Sequence, residues 1–167
     1  MKRTLDQFAA ECKGLLIAEP GPAGREKVSS LLEDALKDGE FVDAYVAEGT
    51  PERKILYEDA DLGFTILAHG YEGARTSSPH DHGPSWAIYG QASGVTEMTE
   101  WDVVEAASME KPGKAKAARV YNLEPGMAKV YNEGQLHSPR RETSTRLIRI
   151  EGMNMDRVKR LPYEPVS

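Results

Sequence analysis

The chain has 167 residues, with 21 Lys or Arg against 27 Asp or Glu, so its formal charge is −6. This length predicts one domain with a substantial core, and the acidic balance argues against a general nucleic-acid-binding protein. Its single cysteine, Cys12, excludes an intrachain disulfide, and no apolar run is long enough to span a membrane. We see no secretory signal, so we expect a cytoplasmic protein with neither nucleic acid nor membrane as a partner.

Residues 1–40 have the pattern of two amphipathic helices. Apolar side chains recur at steps of three and four residues from Leu5 to Cys12, which is the spacing of one helix face. A break rich in Pro and Gly at residues 20–24 ends this pattern. A second helix is expected from there to about residue 37. We predict a helical segment over 1–40 that packs on the rest of the chain.

From residue 41 onward the pattern changes to short strands separated by Gly and Pro. The runs with strand character are residues 64–71, 86–89, 95–104, 118–121, 127–131 and 144–150. The polar stretch 105–117 is expected to be a loop, and residues 161–167 are expected to be extended. Short strands at this spacing indicate an antiparallel sandwich or barrel. We therefore predict a β region over 41–167 that forms a single domain with the helical segment.

Three of the four histidines have the placement of metal ligands. His80 and His82 lie two residues apart, so in extended backbone both imidazoles face the same side. His137, in a turn that leads back into the sheet, is the candidate third ligand. Imidazole suits Zn, Fe, Cu and Ni, so the residue types leave the metal open.

The sequence around these histidines resembles the two metal-binding motifs of the cupin superfamily. In the first motif the residues at the family's spacing are His80, His82 and Gly94, and in the second they are Gly126, Gly134 and His137. The resemblance implies a mainly β fold, the cupin double-stranded β-helix, which is a small antiparallel barrel, here with two N-terminal helices. It also implies one divalent metal held by the three histidines. A homodimer is compatible with it, because cupins commonly dimerise through their sheets.

The position of the metal-binding Glu in most cupins holds Ala87. Three histidines without this Glu are similar to the thiol dioxygenases of the cysteine dioxygenase type. That resemblance implies a non-haem Fe(II) oxidoreductase that combines a small thiol with O2. Ala87 also stands where animal-type enzymes carry a crosslinked Cys. The crosslink is therefore excluded, and the identity of the thiol substrate stays open. Two alternatives stay open: a three-histidine dioxygenase that cleaves a diketone-like carbon–carbon bond, and a non-catalytic cupin that binds a metal or a small molecule.

The charge of such a site favours the oxygenase interpretation. Three neutral ligands leave up to three positions of an octahedral ion open, which suits substrate and O2 together on Fe(II). Without a carboxylate ligand the ion keeps its full +2 charge and attracts an anionic donor such as a thiolate or an enolate. Zn, Ni or Mn in place of iron is not excluded by the residues.

Several further residues are candidates for the site. Glu97, just past the turn at Gly94, is a candidate fourth ligand or supporting carboxylate, the alternative being a carboxylate on the solvent side of its strand. A guanidinium suits a substrate carboxylate, and aromatic side chains suit an apolar wall around a metal. The substrate-binding candidates are accordingly Arg53, Arg75, Arg149, Tyr71, Trp86 and Tyr89. His69, in an apolar strand, is expected to be a hydrogen-bonded core or pocket histidine.

Overall fold

The computed structural model of the protein describes residues 3–167. Its α-helices within that range are α1 (Leu5–Ala18), α2 (Pro22–Leu36) and α3 (Gly39–Tyr45). Its strands are β1 (Lys54–Glu58), β2 (Thr65–Tyr71), β3 (Arg75–Thr76), β4 (Ala87–Ser93), β5 (Thr96–Glu105), β6 (Gly113–Leu123), β7 (Ala128–Tyr131), β8 (Leu136–Arg141), β9 (Thr145–Glu151) and β10 (Tyr163–Val166). None of the helices in the described range has both the length and the apolar character needed to cross a bilayer.

The first two helices lie where the periodicity predicts them, and local chemistry explains where they begin. The Thr4 hydroxyl accepts from the backbone N–H of Gln7, whose side chain accepts from the backbone N–H of Thr4. This reciprocal cap fixes the start of α1. The second helix begins with Pro22. Proline lacks a backbone N–H, and because the N–H groups at the start of a helix have no acceptor within it, no hydrogen bond is lost there.

The strands β2 to β9 form two sheets in the order of a jelly roll. One sheet runs β2-β9-β4-β7 and the other β3-β8-β5-β6, with β1 added at the edge of the first and β10 at the edge of the second. Eight strands alternating between two sheets in this order form the double-sheet architecture that cupins share. The prediction of a mainly β double-stranded β-helix with N-terminal helices is therefore confirmed.

The first sheet is covered on both of its faces. One face packs against α1 and α2 through side chains such as Ile88 and Ile148. The other face turns toward the second sheet, where Tyr89 packs with Met98 and Leu123. Alternating side chains of one strand therefore enter two different cores, because successive residues of a strand point to opposite sides. The inner space between the two sheets is where the candidate site lies.

Some elements differ from the sequence prediction. The sequence predicted two helices, and the structure has a third: α3 occupies residues 39–45, capped by the Asp38 side chain and held by Phe41 against Phe8 with ring centroids 5.5 Å apart. This helix crosses the boundary at residue 40 between the predicted helical and β segments, and that division stays a prediction.

The polar part of the β region also contains more strand than its composition predicts. The loop expected over 105–117 ends at residue 112, since β6 begins at Gly113 and pairs with β5 on one side and with β10 on the other. Strands β1 and β8 were not predicted either. In β8, polar residues and Pro139 hide a strand that is hydrogen-bonded to β5 and β3.

Candidate metal centre

Three histidines converge in the space between the sheets. The ligand atoms of His80, His82 and His137 all lie within 4.8 Å of one another, so this group could hold a metal ion. His80 and His137 form an antiparallel bridge, in which the backbone N–H of each donates to the carbonyl oxygen of the other, at 3.0 and 2.9 Å. Side chains of bridged residues lie on the same face of the sheet. The Nε2 atoms of His82 and His137 are 3.2 Å apart.

Each of the three imidazoles is held through its Nδ1 atom. That of His80 donates to the carbonyl oxygen of Ser78 at 2.9 Å, and that of His137 donates to the carbonyl oxygen of Gln135 at 3.0 Å. In both rings the acceptor fixes the proton on Nδ1. The free lone pair is then on Nε2, the arrangement that orients a histidine for a metal.

The third imidazole uses a carboxylate instead of a backbone carbonyl. The Nδ1 atom of His82 lies 3.3 Å from Oε2 of Glu151, and both side chains are buried. Burial lowers the pKa of His82 to about 2, so the contact is a hydrogen bond from a neutral imidazole and not an ion pair. A carboxylate behind a histidine raises the basicity of the coordinating nitrogen.

Burial keeps the other two imidazoles neutral as well. It lowers the pKa of His80 to about 4 and the pKa of His137 well below its ordinary value. The positive charge of Arg149 acts in the same direction on both. At neutral pH all three rings therefore carry a free lone pair without prior loss of a proton, which is the state that metal binding requires.

Strand β4 supplies the wall opposite these rings. Ala87 is fully buried and packs in the inner core with Tyr89 and Tyr131. Two residues on and on the same face, the Tyr89 hydroxyl lies 3.1 Å from Nε2 of His82 and 3.1 Å from Nε2 of His137. The ring of Tyr131 stacks on His137 with centroids 4.2 Å apart.

The structure does not bring Glu97 to the histidines. Its neighbours Thr96 and Met98 are fully buried, so alternation along β5 turns Glu97 outward. There its carboxylate is 3.8 Å from the guanidinium of Arg140 and its side chain is 42% exposed. Glu97 therefore lies on the solvent side of β5, the alternative to a role at the metal.

Four of the substrate-binding candidates meet in one cavity of about 370 Å³, which reaches the histidine group through Glu151, a lining residue whose carboxylate contacts His82. They are Arg53, Arg75, Arg149 and Tyr71, joined by the unpredicted Arg160. Acidic side chains pair with two of these arginines: Asp156 lies 3.1 Å from Arg53, and Glu52 contacts Arg75.

Arg149 connects the cavity with the histidine group. It lines the cavity, and its guanidinium carbon lies 4.4 Å from the ring centroid of Tyr89. Its nearest acid is Glu151, at 4.0 Å, and its buried Nε atom has no hydrogen-bond partner within the described part of the chain. A buried guanidinium with an unused donor is suited to receive a carboxylate.

The remaining candidates have other surroundings. His69 lines the same cavity, donates from Nδ1 to the carbonyl oxygen of Glu52 at 2.8 Å and stacks on Tyr71. This agrees with the pocket histidine expected from the sequence. Trp86 lies on the other face of the first sheet, in the core beneath the helices, where the Arg25 guanidinium covers its ring at 5.3 Å.

Sequence reasoning missed three charged residues of this region. Glu151 and Arg160 line the cavity, and the buried Arg141 has its guanidinium carbon 4.5 Å from the ring centroid of Tyr71. A signal for one of them is present in β9, where Arg149 and Glu151 alternate with the apolar Ile148 and Ile150. In a strand covered on both faces, such an alternation places charge inside the molecule.

Comparison with known proteins gives structural likeness only. No family model and no curated protein matches the sequence. A cupin superfamily protein from Desulfitobacterium hafniense is 12% identical with a TM-score of 0.44, over 61% of this chain and 76% of that one. KdgF from Halomonas sp. is 16% identical with a TM-score of 0.45, over 64% and 83%. A double-stranded β-helix protein from Klebsiella pneumoniae is 17% identical with a TM-score of 0.44, over 66% and 84%.

The class of the protein rests on its own strand order and site. The chain is a double-stranded β-helix whose interior holds a candidate three-histidine metal centre.

Proposed function

We propose that this protein is a non-haem Fe(II) dioxygenase that oxidises a small thiol carrying an anionic group, in a reducing cytoplasm. The observation that carries the proposal is the convergence of three neutral imidazoles, joined through Glu151 to an arginine-lined cavity. The donor set fits a divalent iron, because all three Nε2 atoms carry free lone pairs and all three Nδ1 atoms are occupied. Bound Fe(II) would supply a centre at which a thiolate and O2 meet.

The protein's own residues would orient the substrate. The Nε atom of Arg149 is buried and has no hydrogen-bond partner in the described part of the chain. Its guanidinium packs on the ring of Tyr89, whose hydroxyl lies 3.1 Å from Nε2 of His82. A substrate carboxylate at Arg149 would place a short thiol chain toward the histidines, since a two-point contact fixes direction as well as position.

The proposal is tested by oxygen consumption. The protein is loaded with Fe(II) without air and mixed with O2 and a panel of small thiols, with and without a carboxylate. We expect O2 uptake with formation of the sulfinate, and faster turnover for the carboxylated thiols. Uptake with diketones alone would favour carbon–carbon cleavage, and no uptake despite bound iron would favour a binding protein.

The metal assignment has its own measurement. Elemental analysis of the purified protein identifies the metal and separates iron from Zn, Ni or Mn. We expect His82→Ala to lose most of its metal, because a three-ligand site that loses one ligand binds far more weakly. His69→Gln is the matched control, as it changes a buried histidine outside the group. Equal metal in His82→Ala and the wild type would contradict the assignment.

A further inference from the structure

The hydroxyl of Tyr89 lies at equal distances from two of the three histidines. It lies 3.1 Å from Nε2 of His82 and 3.1 Å from Nε2 of His137, and these two nitrogens lie 3.2 Å from each other. Both Nδ1 atoms already donate elsewhere, so both Nε2 atoms present lone pairs. The phenol has a single proton to offer, which satisfies one of the two nitrogens.

A metal ion satisfies all three atoms at once. An ion placed about 2.1 Å from each atom, an ordinary bond length to nitrogen or oxygen, would make donor–metal–donor angles of about 95–100°. Such angles belong to three neighbouring positions of an octahedron. The Tyr89 oxygen is about as far from each Nε2 atom as the two Nε2 atoms are from each other, so its position is suitable for a third ligand.

Burial alone raises the pKa of the Tyr89 phenol, so its anionic form depends on a bound metal ion and on the nearby positive charge. The side chain is fully buried, and the guanidinium of Arg149 lies 4.4 Å from its ring centroid. This positive charge stabilises a phenolate. Ala87, two residues earlier on the same face of β4, is too short to reach an ion. Strand β4 would then contribute an anionic oxygen from Tyr89, two residues after Ala87, the position that holds the metal-binding Glu in most cupins.

We propose that Tyr89 coordinates the metal as a phenolate, forming with His80, His82 and His137 a ligand set of three nitrogens and one oxygen. As the metal–oxygen bond forms, the phenol proton leaves to water. The site then has a ligand charge of −1 and two remaining octahedral positions. This inference rests on the proposed metal at the histidines and is independent of the dioxygenase reaction.

The ligand is detected by its colour with ferric iron. The protein is loaded with Fe(II), oxidised with ferricyanide and freed of excess reagent, and the iron content of each sample is measured. We expect a visible phenolate-to-iron charge-transfer band in the wild type and its loss in Tyr89→Phe at equal iron content. Tyr131→Phe is the matched control: its ring also contacts His137, but its hydroxyl is bonded to Tyr121 at 2.6 Å, so the band should persist.

Resonance Raman excitation of the wild type within that band tests the inference without a variant. Phenolate ring modes are expected, and their absence would overturn the assignment even if Tyr89→Phe did not fold. An unchanged spectrum in Tyr89→Phe at equal iron content would overturn the ligand role and leave the metal site standing. A wild type that binds no iron would overturn the metal site itself, and the ligand role with it.

Discussion

One carboxylate, Glu151, lies between the histidine group and the arginine cavity. Its Oε2 atom is 3.3 Å from Nδ1 of His82, and its Oε1 atom is 4.0 Å from the guanidinium of Arg149. It therefore fixes the orientation of one ligand while balancing the charge of the residue proposed to hold the substrate.

The role of Glu151 predicts a graded effect on metal affinity. Glu151→Leu removes the acceptor behind His82 and should weaken metal binding by about 10–100-fold, the usual cost of losing such a partner. Glu151→Gln keeps an acceptor oxygen and should lose less. Chelator competition measures both affinities, and thermal unfolding of the metal-free variants checks that they are folded. Wild-type affinity in Glu151→Leu would contradict the role.

At this scale the sequence predicts ligands better than their surroundings. His80 and His82 were recognisable because their spacing is local, and His137 because it lies in a second motif. The position of Glu151 behind His82 depends on β9 pairing with β4, which no local pattern encodes. The outward direction of Glu97 likewise required the register of β5.

At the scale of elements, an ion pair between a buried arginine and a half-exposed glutamate joins α2 to the turn between β7 and β8. Arg25 is buried in α2, and its guanidinium lies 3.0 Å from Oε2 of Glu133 and 3.0 Å from Oδ1 of Asn132. This turn leads into β8, whose second residue is His137. The contact therefore ties the helical layer to the strand that carries one of the histidines.

The hydrogen bond from Arg25 lowers the pKa of Glu133, which predicts a pH-dependent contribution to stability. The contribution is present above the ordinary glutamate pKa and is lost as the pH falls through the lowered folded-state value. Because Glu133 is half exposed, we expect Glu133→Gln to cost about 0.5–1.5 kcal/mol of unfolding free energy at pH 7.

Urea unfolding of both proteins between pH 7 and pH 3 measures this difference. It should be constant down to about pH 5 and shrink below the ordinary glutamate value of about 4.3. Glu142→Gln serves as the control, since Glu142 pairs with Arg140 on the surface and its loss should change stability little. A difference that grows on acidification would contradict the interpretation.

Periodicity predicted the long helices, and composition predicted most of the strands. Periodicity failed to predict α3 because seven residues are too few to establish a helical period. Composition failed to predict β8 because its residues are mostly polar, although neighbouring strands bury it.

For the whole molecule, the layer of helices over the first sheet gives the chain a second core, separate from the space that holds the histidines. Cys12 lies in that second core, fully buried on α1. The two motifs predicted the double-stranded β-helix, but the position of the helices on its outer face depends on contacts between distant parts of the chain.

The burial of Cys12 predicts that its thiol is unreactive in the folded protein. Burial raises the pKa of this thiol to about 12, so little thiolate exists at neutral pH, and thiolate is the reactive form. Labelling with a thiol-specific reagent should be slow in buffer and should reach one thiol per chain in denaturant. The labelling rate across a urea series should follow global unfolding, whereas rapid labelling in buffer would contradict the burial.

The backbone bridge between His80 and His137 bears on whether the chain folds before or after it binds a metal ion. Two of the candidate metal ligands are held together by main-chain hydrogen bonds that need no ion, and the barrel around them has its own apolar cores. Zinc fingers, by contrast, are unfolded until the ion arrives. Here folding precedes loading, so a chelator should withdraw the metal and leave an intact barrel that accepts a new ion.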